Sequence, residues 1–143
     1  MKENFDIVRF SQVIKSVRKS CGSVLETAAK RSGITKEEAG MLLLFFNNPE
    51  RSLLTDAACL EGISCTYAAE ILHGLIKMGM VETSGAEPSE IKVSVTGKGG
   101  IIAKSLNSML AKHLEHLLSG ITPEEEAVFK RILDTVYRNA LKI

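Results

Sequence analysis

Apolar residues recur at alternating steps of four and three positions through the first thirty residues of the chain. This spacing aligns them along one side of a helix, as in a coiled coil, and predicts a long helix over about residues 4–31. So narrow a stripe needs a partner helix, either from the same chain or from a second copy. The stripe consists of Phe10, Ile14, Val17, Cys21, Val24 and Ala28.

Two capping boxes predict where further helices begin. In each box the threonine hydroxyl accepts a hydrogen bond from a backbone amide three residues on, and the glutamate at that position accepts one from the threonine amide. Thr35 with Glu38 precedes a segment that is apolar almost all round, which predicts a central core helix. Thr122 with Glu125 and Pro123 opens the last helix, because proline is favoured at the first helical position.

The C-terminal part of the chain is predicted to form two helices with wide apolar faces. Thr96 caps the first, which runs to about Ser119. The second begins after Thr122, and its wide face indicates burial against more than its own subunit. The first face contains Ile102, Leu106, Met109, Leu110, His113, Leu114 and Leu117, and the second contains Val128, Phe129, Ile132, Leu133, Val136, Tyr137, Ala140 and Leu141.

The centre of the chain has the element order of a winged helix-turn-helix. A short helix over Leu54–Glu61 is followed by a turn at Gly62, a cap at Ser64 and a second helix over residues 65–78. Strands over residues 81–84 and 91–95 flank a six-residue loop and form the wing. The predicted fold is therefore mainly α with a small β-hairpin, a module that lays one helix in a DNA groove. The second helix is expected to bury Ala68, Ile71, Leu72, Leu75 and Ile76.

The charge of this central segment is unusual for a DNA-binding module. Between residues 51 and 95 three basic side chains face six acidic ones, a net charge of −3, while each flank is about +2. Phosphate-binding surfaces are normally basic, so we expect a shallow salt dependence for any DNA binding. The basic residues are Arg51, Lys77 and Lys92, and the acidic residues are Asp56, Glu61, Glu70, Glu82, Glu87 and Glu90.

Length and composition are those of a single-domain globular protein. The chain has 143 residues, a formal net charge of +1 and three cysteines. It contains no apolar run long enough to span a bilayer and no signal peptide, so a soluble cytoplasmic protein is expected. Free thiols are the simplest interpretation of the cysteines. Cys65 is the one candidate for a redox sensor, because it would lie in the first turn of a helix.

Five short segments, in the order in which they occur, match one regulatory family. One lies at the entry to the second helix, one at the helix-turn-helix turn, one at the exit of the second motif helix, one between wing and long helix, and one at the last helix. They are ITKEE at 34–38, GIS at 62–64, LIKMGMV at 75–81, VSVTGKG at 93–99 and ITPEE at 121–125.

With these segments the chain resembles the MarR family of bacterial transcription regulators over nearly its whole length. The resemblance implies one domain, residues 1–143, with a winged-helix lobe at about 34–99 and dimerisation helices at 1–33 and 100–143. It also implies a homodimer that binds double-stranded DNA, with control by a small-molecule effector or by oxidation. The dimer contacts would come from Phe10, Ile14, Val17, Leu110, Leu114, Leu117, Phe129, Leu133, Val136 and Tyr137.

The segment that departs most from the family is the wing. Its usual Asp-x-Arg motif falls on Glu87-Pro88-Ser89, so Ser89 replaces the arginine that enters the minor groove. On the motif's second helix, Glu70 would face the groove, where it accepts from a cytosine amino group but repels phosphates. The DNA-binding candidates are Ser64, Thr66, Tyr67, Glu70, Lys77, Ser89, Lys92 and Lys98.

No catalytic or cofactor motif is present, and we expect neither an enzyme nor a metal site. His113 and His116 have a spacing that suits a metal, but histidines on a helix face are usually not ligands. Two functions remain open. The first is a sequence-specific DNA-binding regulator, and the second is a MarR-like dimer that has lost DNA binding and serves as a protein-interaction or ligand-binding module.

Overall fold

A computed structural model describes residues 6–142. Local contacts divide it into two compact units, one up to Ala111 and one from Lys112 onward, which are treated separately below. A single 3₁₀ turn, Pro88–Glu90, lies in the wing loop. The helices and strands are α1 (Ile7–Arg31), α2 (Lys36–Asn47), α3 (Leu54–Glu61), α4 (Cys65–Lys77), β1 (Val81–Ser84), β2 (Lys92–Val95), α5 (Gly97–Leu117) and α6 (Pro123–Ala140).

The predicted helix starts are confirmed by their caps. Asp6 accepts from the amide of Val8 at 2.9 Å and opens α1, so residues 4 and 5 of the predicted helix lie outside the described part of the chain. The Thr35 hydroxyl accepts from the Glu38 amide at 3.1 Å, and the Glu38 carboxylate accepts from the Thr35 amide at 2.9 Å. This complete capping box starts α2 where the sequence predicted.

The core of the first unit is built around α2. Five of its twelve residues are buried, and they pack with one face of α4 and with parts of α1, α3, the wing and α5. The prediction that α4 buries Ile76 is wrong, because 41% of its surface is exposed. Successive residues of an α-helix are rotated by about 100° around its axis. Ile76 therefore lies at the edge of the face that Leu72 and Leu75 bury.

The helix-turn-helix turn has the predicted geometry. Gly62 adopts φ +66°, the left-handed conformation that ends α3 without a steric penalty. The amide of Ile63 then donates to the carbonyl of Ala58 at 3.0 Å. The Ser64 hydroxyl accepts from the Tyr67 amide at 3.0 Å and starts α4. These contacts set the direction in which α4 leaves α3.

The wing is an antiparallel hairpin in which Val81 pairs with Val95 and Ser84 with Lys92. The structure adds a third, very short pairing that the sequence did not predict, a bridge from Leu53 to Lys92. The Val93 amide donates to the Ser52 carbonyl at 2.8 Å, next to this bridge. The segment before α3 is thereby tied to the wing.

Three consecutive carbonyl groups after α4 are held by donors from the start of α5. Lys98 Nζ donates to the Met78 carbonyl at 2.7 Å. Thr96 Oγ1 donates to the Gly79 carbonyl at 2.6 Å, and the Thr96 amide donates to the Met80 carbonyl at 3.0 Å. We call these contacts the Thr96 junction. It satisfies carbonyls that the end of a helix leaves unpaired and joins α4, the wing and α5.

Gly99 allows the two sides of the Thr96 junction to approach closely. Its amide donates to Thr96 Oγ1 at 3.1 Å, which also confirms the predicted threonine cap of α5. A Cβ atom at Gly99 would collide with the carbonyl oxygen of Met80, which is backbone and cannot move independently. At Gly100, one residue along the same helix, a Cβ would make an ordinary contact of 3.6 Å with Phe46.

The second unit contains α6 and the end of α5. Thr122 and Glu125 form the predicted second capping box, with hydrogen bonds of 3.0 and 3.1 Å. The Thr122 amide, followed by the Thr122 hydroxyl, stabilises the carboxylate and lowers the pKa of Glu125 below its ordinary value of 4.5. The wide apolar face of α6 is uncovered within this unit, and its large side chains between Val128 and Tyr137 are each 41–50% exposed.

The close approach at Gly99 leads to a matched pair of substitutions. Gly99→Ala should lower the free energy of unfolding by about 2 kcal/mol or more, because the added methyl meets backbone. Gly100→Ala should be neutral or stabilising by up to about 1 kcal/mol, since alanine is the better helix former. Urea denaturation of both variants measures the difference. Equal stabilities would contradict this description of the junction.

The second capping box predicts an acid-dependent contribution to stability. Because the pKa of Glu125 is lowered in the folded state, its stabilisation is fully present above the ordinary value and is lost as the pH falls through the lowered one. An NMR titration of the Glu125 carboxyl carbon should therefore have its midpoint below 4.5. Replacing Thr122 with alanine removes the hydroxyl but keeps the amide, so the midpoint should move only part of the way back. A midpoint at or above 4.5 in the unmodified chain would show that the box is absent in solution.

Candidate nucleic-acid interface

The outer face of α4 is the surface that a groove-binding helix would present. Thr66, Ala69, Glu70, His73 and Lys77 are all exposed. At 100° per residue they fall within one side of the helix, opposite the buried Ala68, Leu72 and Leu75. Sequence reasoning had selected three of the five. It missed Ala69, which has no polar group, and His73, which stands apart from the other polar residues of the motif.

Tyr67 lies beside this outer face. Its ring is 43% exposed and lines a cavity of about 180 Å³ together with Leu25 of α1 and Lys36 of α2. The residue therefore stands where α4 meets the helices behind it, with its hydroxyl-bearing ring partly in solvent. The sequence placed Tyr67 at the front of α4 but carried no sign of this cavity, which depends on how α1 and α2 cross.

Two of the predicted DNA-contacting residues already have structural partners. The Ser64 hydroxyl caps α4, although the residue remains exposed. The Lys98 ammonium donates to the Met78 carbonyl in the Thr96 junction. Each side chain thus helps to fix the position of α4, and each retains an exposed surface beside it.

The wing presents a short, acidic tip. Ser89 is exposed within the 3₁₀ turn Pro88–Glu90, and Lys92 is exposed on β2. Gly85 has φ +109°, and a Cβ there would stand 2.5 Å from the carbonyl oxygen of Glu90, so the loop closes tightly on itself. No arginine is available in this loop to enter a minor groove.

All nine charged side chains between residues 51 and 95 are exposed. The net charge of −3 is therefore a property of the surface of the winged-helix lobe and is not hidden in its interior. On the outer face of α4, Glu70 stands one helical turn from His73 and two turns from Lys77. Near a DNA groove Glu70 repels phosphates and would need a base amino group as its donor.

The thiols and histidines form no recognisable chemical centre. Cys59 and Cys65 are exposed, Cys21 is half-buried, and all three are free. The His113 and His116 rings lie 6.3 Å apart. Within residues 6–142 no group of three potential ligands is placed to hold a metal ion, and no helix is long and apolar enough to cross a membrane.

No family model matches the chain, and no curated protein matches it in sequence. Solved structures share its fold. A MarR transcriptional regulator from Methanosarcina mazei Go1 matches with a TM-score of 0.81 at 16% identity, covering 96% of this chain and 93% of that one. The fold is that of the MarR-family regulators. A MarR-family regulator from Silicibacter pomeroyi gives a TM-score of 0.76 at 16% identity, with coverages of 89% and 86%.

The same MarR-like fold has been solved bound to DNA. MepR of Staphylococcus aureus, in a protein–DNA complex, matches this chain with a TM-score of 0.70 at 15% identity, covering 92% of this chain and 96% of that one. The winged helix-turn-helix predicted from the element order is thus confirmed as a fold. The two long helices that flank the MarR-like lobe, α1 and α6, are confirmed with it.

Proposed function

We propose that the protein is a dimeric, sequence-specific DNA-binding transcription regulator that inserts α4 into the major groove. The observation that carries this proposal is the exposed outer face of α4, held in a fixed direction by the Ser64 cap and the Thr96 junction. A helix rigidly presented on a winged-helix lobe has the shape that a major groove accepts. The DNA complex of MepR, which has the same fold, supports the assignment.

The chemistry of the outer face suits base contacts better than phosphate contacts. The Thr66 hydroxyl can donate or accept and its methyl can meet a thymine methyl, while Glu70 can accept from a cytosine amino group. His73, one helical turn beyond Glu70, can donate or accept. Lys77, Lys92 and Lys98 supply the cations of this lobe for the phosphates that flank the groove.

A second copy is proposed to cover the apolar faces of the terminal helices. On α1 the side chains of Val13, Ile14 and Val17 are exposed. Within the second unit, Phe129 and Leu133 line an open apolar groove of about 510 Å³ with the end of α5. Large exposed apolar faces on two long helices usually mark a protein interface.

A two-fold dimer would favour a pseudo-palindromic operator with half-sites about 34–36 Å apart. A small-molecule effector would act by binding one dimer state more tightly and thereby changing the distance between the two α4 helices. Selection from a pool of random duplexes at low salt tests the function. Enrichment of an inverted repeat is the expected result, and a pool without an enriched sequence would reject this function.

A second candidate function is favoured by the charge of the lobe. A MarR-like dimer without DNA binding, acting as a protein-interaction or ligand-binding module, would tolerate an acidic surface and a wing tip with Ser89 in place of arginine. The random-duplex selection separates the two functions, because this alternative predicts no enrichment at all.

Restoring cations to the lobe should strengthen nonspecific DNA binding. The double variant Glu70→Arg and Ser89→Arg adds three charges at the groove-facing helix and the wing, and should raise the affinity for random duplex at least about tenfold at low salt. Titration of a fluorescent duplex measures this. The matched control, Glu115→Arg with Ser108→Arg, adds the same charge to exposed α5 positions outside the lobe. An equal gain in both variants would show that the lobe does not face DNA.

Charges on the apolar face of α6 should dissociate the proposed dimer. Sedimentation equilibrium at micromolar concentration should find a dimer for the unmodified chain and a monomer for Phe129→Glu with Leu133→Glu, because two copies of each carboxylate would be buried at the interface. Ile101→Glu is the control, since Ile101 is an exposed apolar residue outside the proposed interface. A dimer that survives the double substitution would exclude this face as the interface.

A further inference from the structure

The strongest concentration of positive charge in the protein is on α1. This helix contains six basic residues and one acidic residue, Glu26, a net charge of +5 over 25 positions. All seven of these side chains are exposed. The contrast with residues 51–95, which have a net charge of −3, is large. The basic residues are Arg9, Lys15, Arg18, Lys19, Lys30 and Arg31.

Three of these residues form a cluster with a cation from the neighbouring helix. Arg18 and Lys19 follow Lys15 by three and four positions, so all three lie on one side of α1. The next residue on that side is Gly22, and Lys36 of α2 reaches over it. A Cβ atom at Gly22 would lie only 2.9 Å from Lys36 Nζ. We call Lys15, Arg18, Lys19 and Lys36 the basic face of α1.

The acidic residues nearest to the basic face at its Lys36 end are Glu37 and Glu61, which line the same cavity as Lys36. Among residues 6–142 no acidic side chain forms an ion pair with any of its four members, and Glu26 lies one turn beyond Gly22. Like charges at these helix spacings destabilise the helix by a few tenths of a kcal/mol for each pair. A polyanion laid along this side would remove that repulsion and release its own counterions.

The basic face reaches the groove-facing helix through Lys36, and Lys15 and Lys19 point away from the exposed valines of the proposed dimer contact. Lys36 lines the same cavity of about 180 Å³ as Tyr67 of α4. At 100° per residue, the exposed Val13 and Val17 point to roughly the opposite side of α1 from Lys15 and Lys19. A second copy packed on Val13 and Val17 would leave Lys15 and Lys19 open, while Arg18, about 40° from Ile14, borders the apolar stripe.

We propose that the basic face of α1 binds the phosphate backbone of duplex DNA that flanks the segment contacted by α4. This inference rests on the proposed DNA-binding function and specifies where the phosphates are held. DNA is the polyanion that fits, because Lys36, at one end of the basic face, lines the same cavity as Tyr67 of α4, where a bound duplex would continue. The shallow salt dependence expected from the lobe alone would then be steepened by contacts from α1.

The test compares salt dependences on random duplex DNA. In the variant with Lys15→Gln, Arg18→Gln and Lys19→Gln, three cations of the basic face are removed. The slope of log Kobs against log salt should become shallower by about 0.9 for each lost contact, or up to about 5 for a dimer. The affinity at 0.1 M salt should fall at least about tenfold.

The matched control removes the same charge from the same helix. Arg9 and Arg31 point away from the basic face, and Lys30 lies about 16 Å further along the helix than Lys19. Replacing these three residues with glutamine should change the slope by less than about one unit. Equal changes in both variants would assign the effect to net charge and overturn the proposal, as would no change in either. Circular dichroism and sedimentation would establish that both variants keep the fold and the oligomeric state of the unmodified chain.

This design separates the inference from the function on which it rests. The salt slope is measured on random duplex, so it does not require sequence preference. If the salt slope becomes shallower in the basic-face variant but the selection enriches no sequence, the result would support phosphate binding by the basic face and reject the regulator function. If the selection enriches an operator but the salt slope of the basic-face variant is unchanged, the result would support the regulator function and reject phosphate binding by the basic face.

Discussion

The Thr96 junction is the constraint on which the winged-helix lobe depends. The carbonyls of the three residues that follow α4, from Met78 to Met80, all accept hydrogen bonds from Thr96 or Lys98. Because Gly99 has no Cβ, the backbone of α5 can lie against the carbonyl oxygen of Met80. These contacts join the C-terminal end of α4 and the start of the wing to the first turn of α5. Without this link the direction of α4 would rest on the Ser64 turn and on core packing.

Local patterns predicted most of the fold because the relevant interactions are local. Threonine followed three residues later by glutamate is sufficient to start α2 and α6, and Gly62 is sufficient to end α3. What the sequence did not show depends on contacts between distant segments. The Leu53–Lys92 bridge, the exposure of Ile76 and the cavity beside Tyr67 all follow from how neighbouring elements pack, which no spacing of apolar residues encodes.

The candidate interface was only partly predictable for a related reason. Polar residues such as Thr66 and Glu70 attract attention in a sequence, whereas Ala69 becomes noticeable only when its exposure places it on the outer face of α4. The sequence shows every charged residue, but a net charge summed over a segment does not show how the charged side chains are arranged in space. The basic face becomes apparent when Lys36, from α2, is placed over Gly22 of α1. In the proposed complex, an acidic lobe contacts the bases and a basic flanking helix contacts the phosphates.

The most direct measurement is a structure of the protein bound to a duplex enriched by selection. The account predicts two copies related by a two-fold axis, each with α4 in the major groove and with Lys15, Arg18 and Lys19 near flanking phosphate oxygens. A complex in which α4 points away from the bases, or in which the duplex lies on another surface, would contradict it.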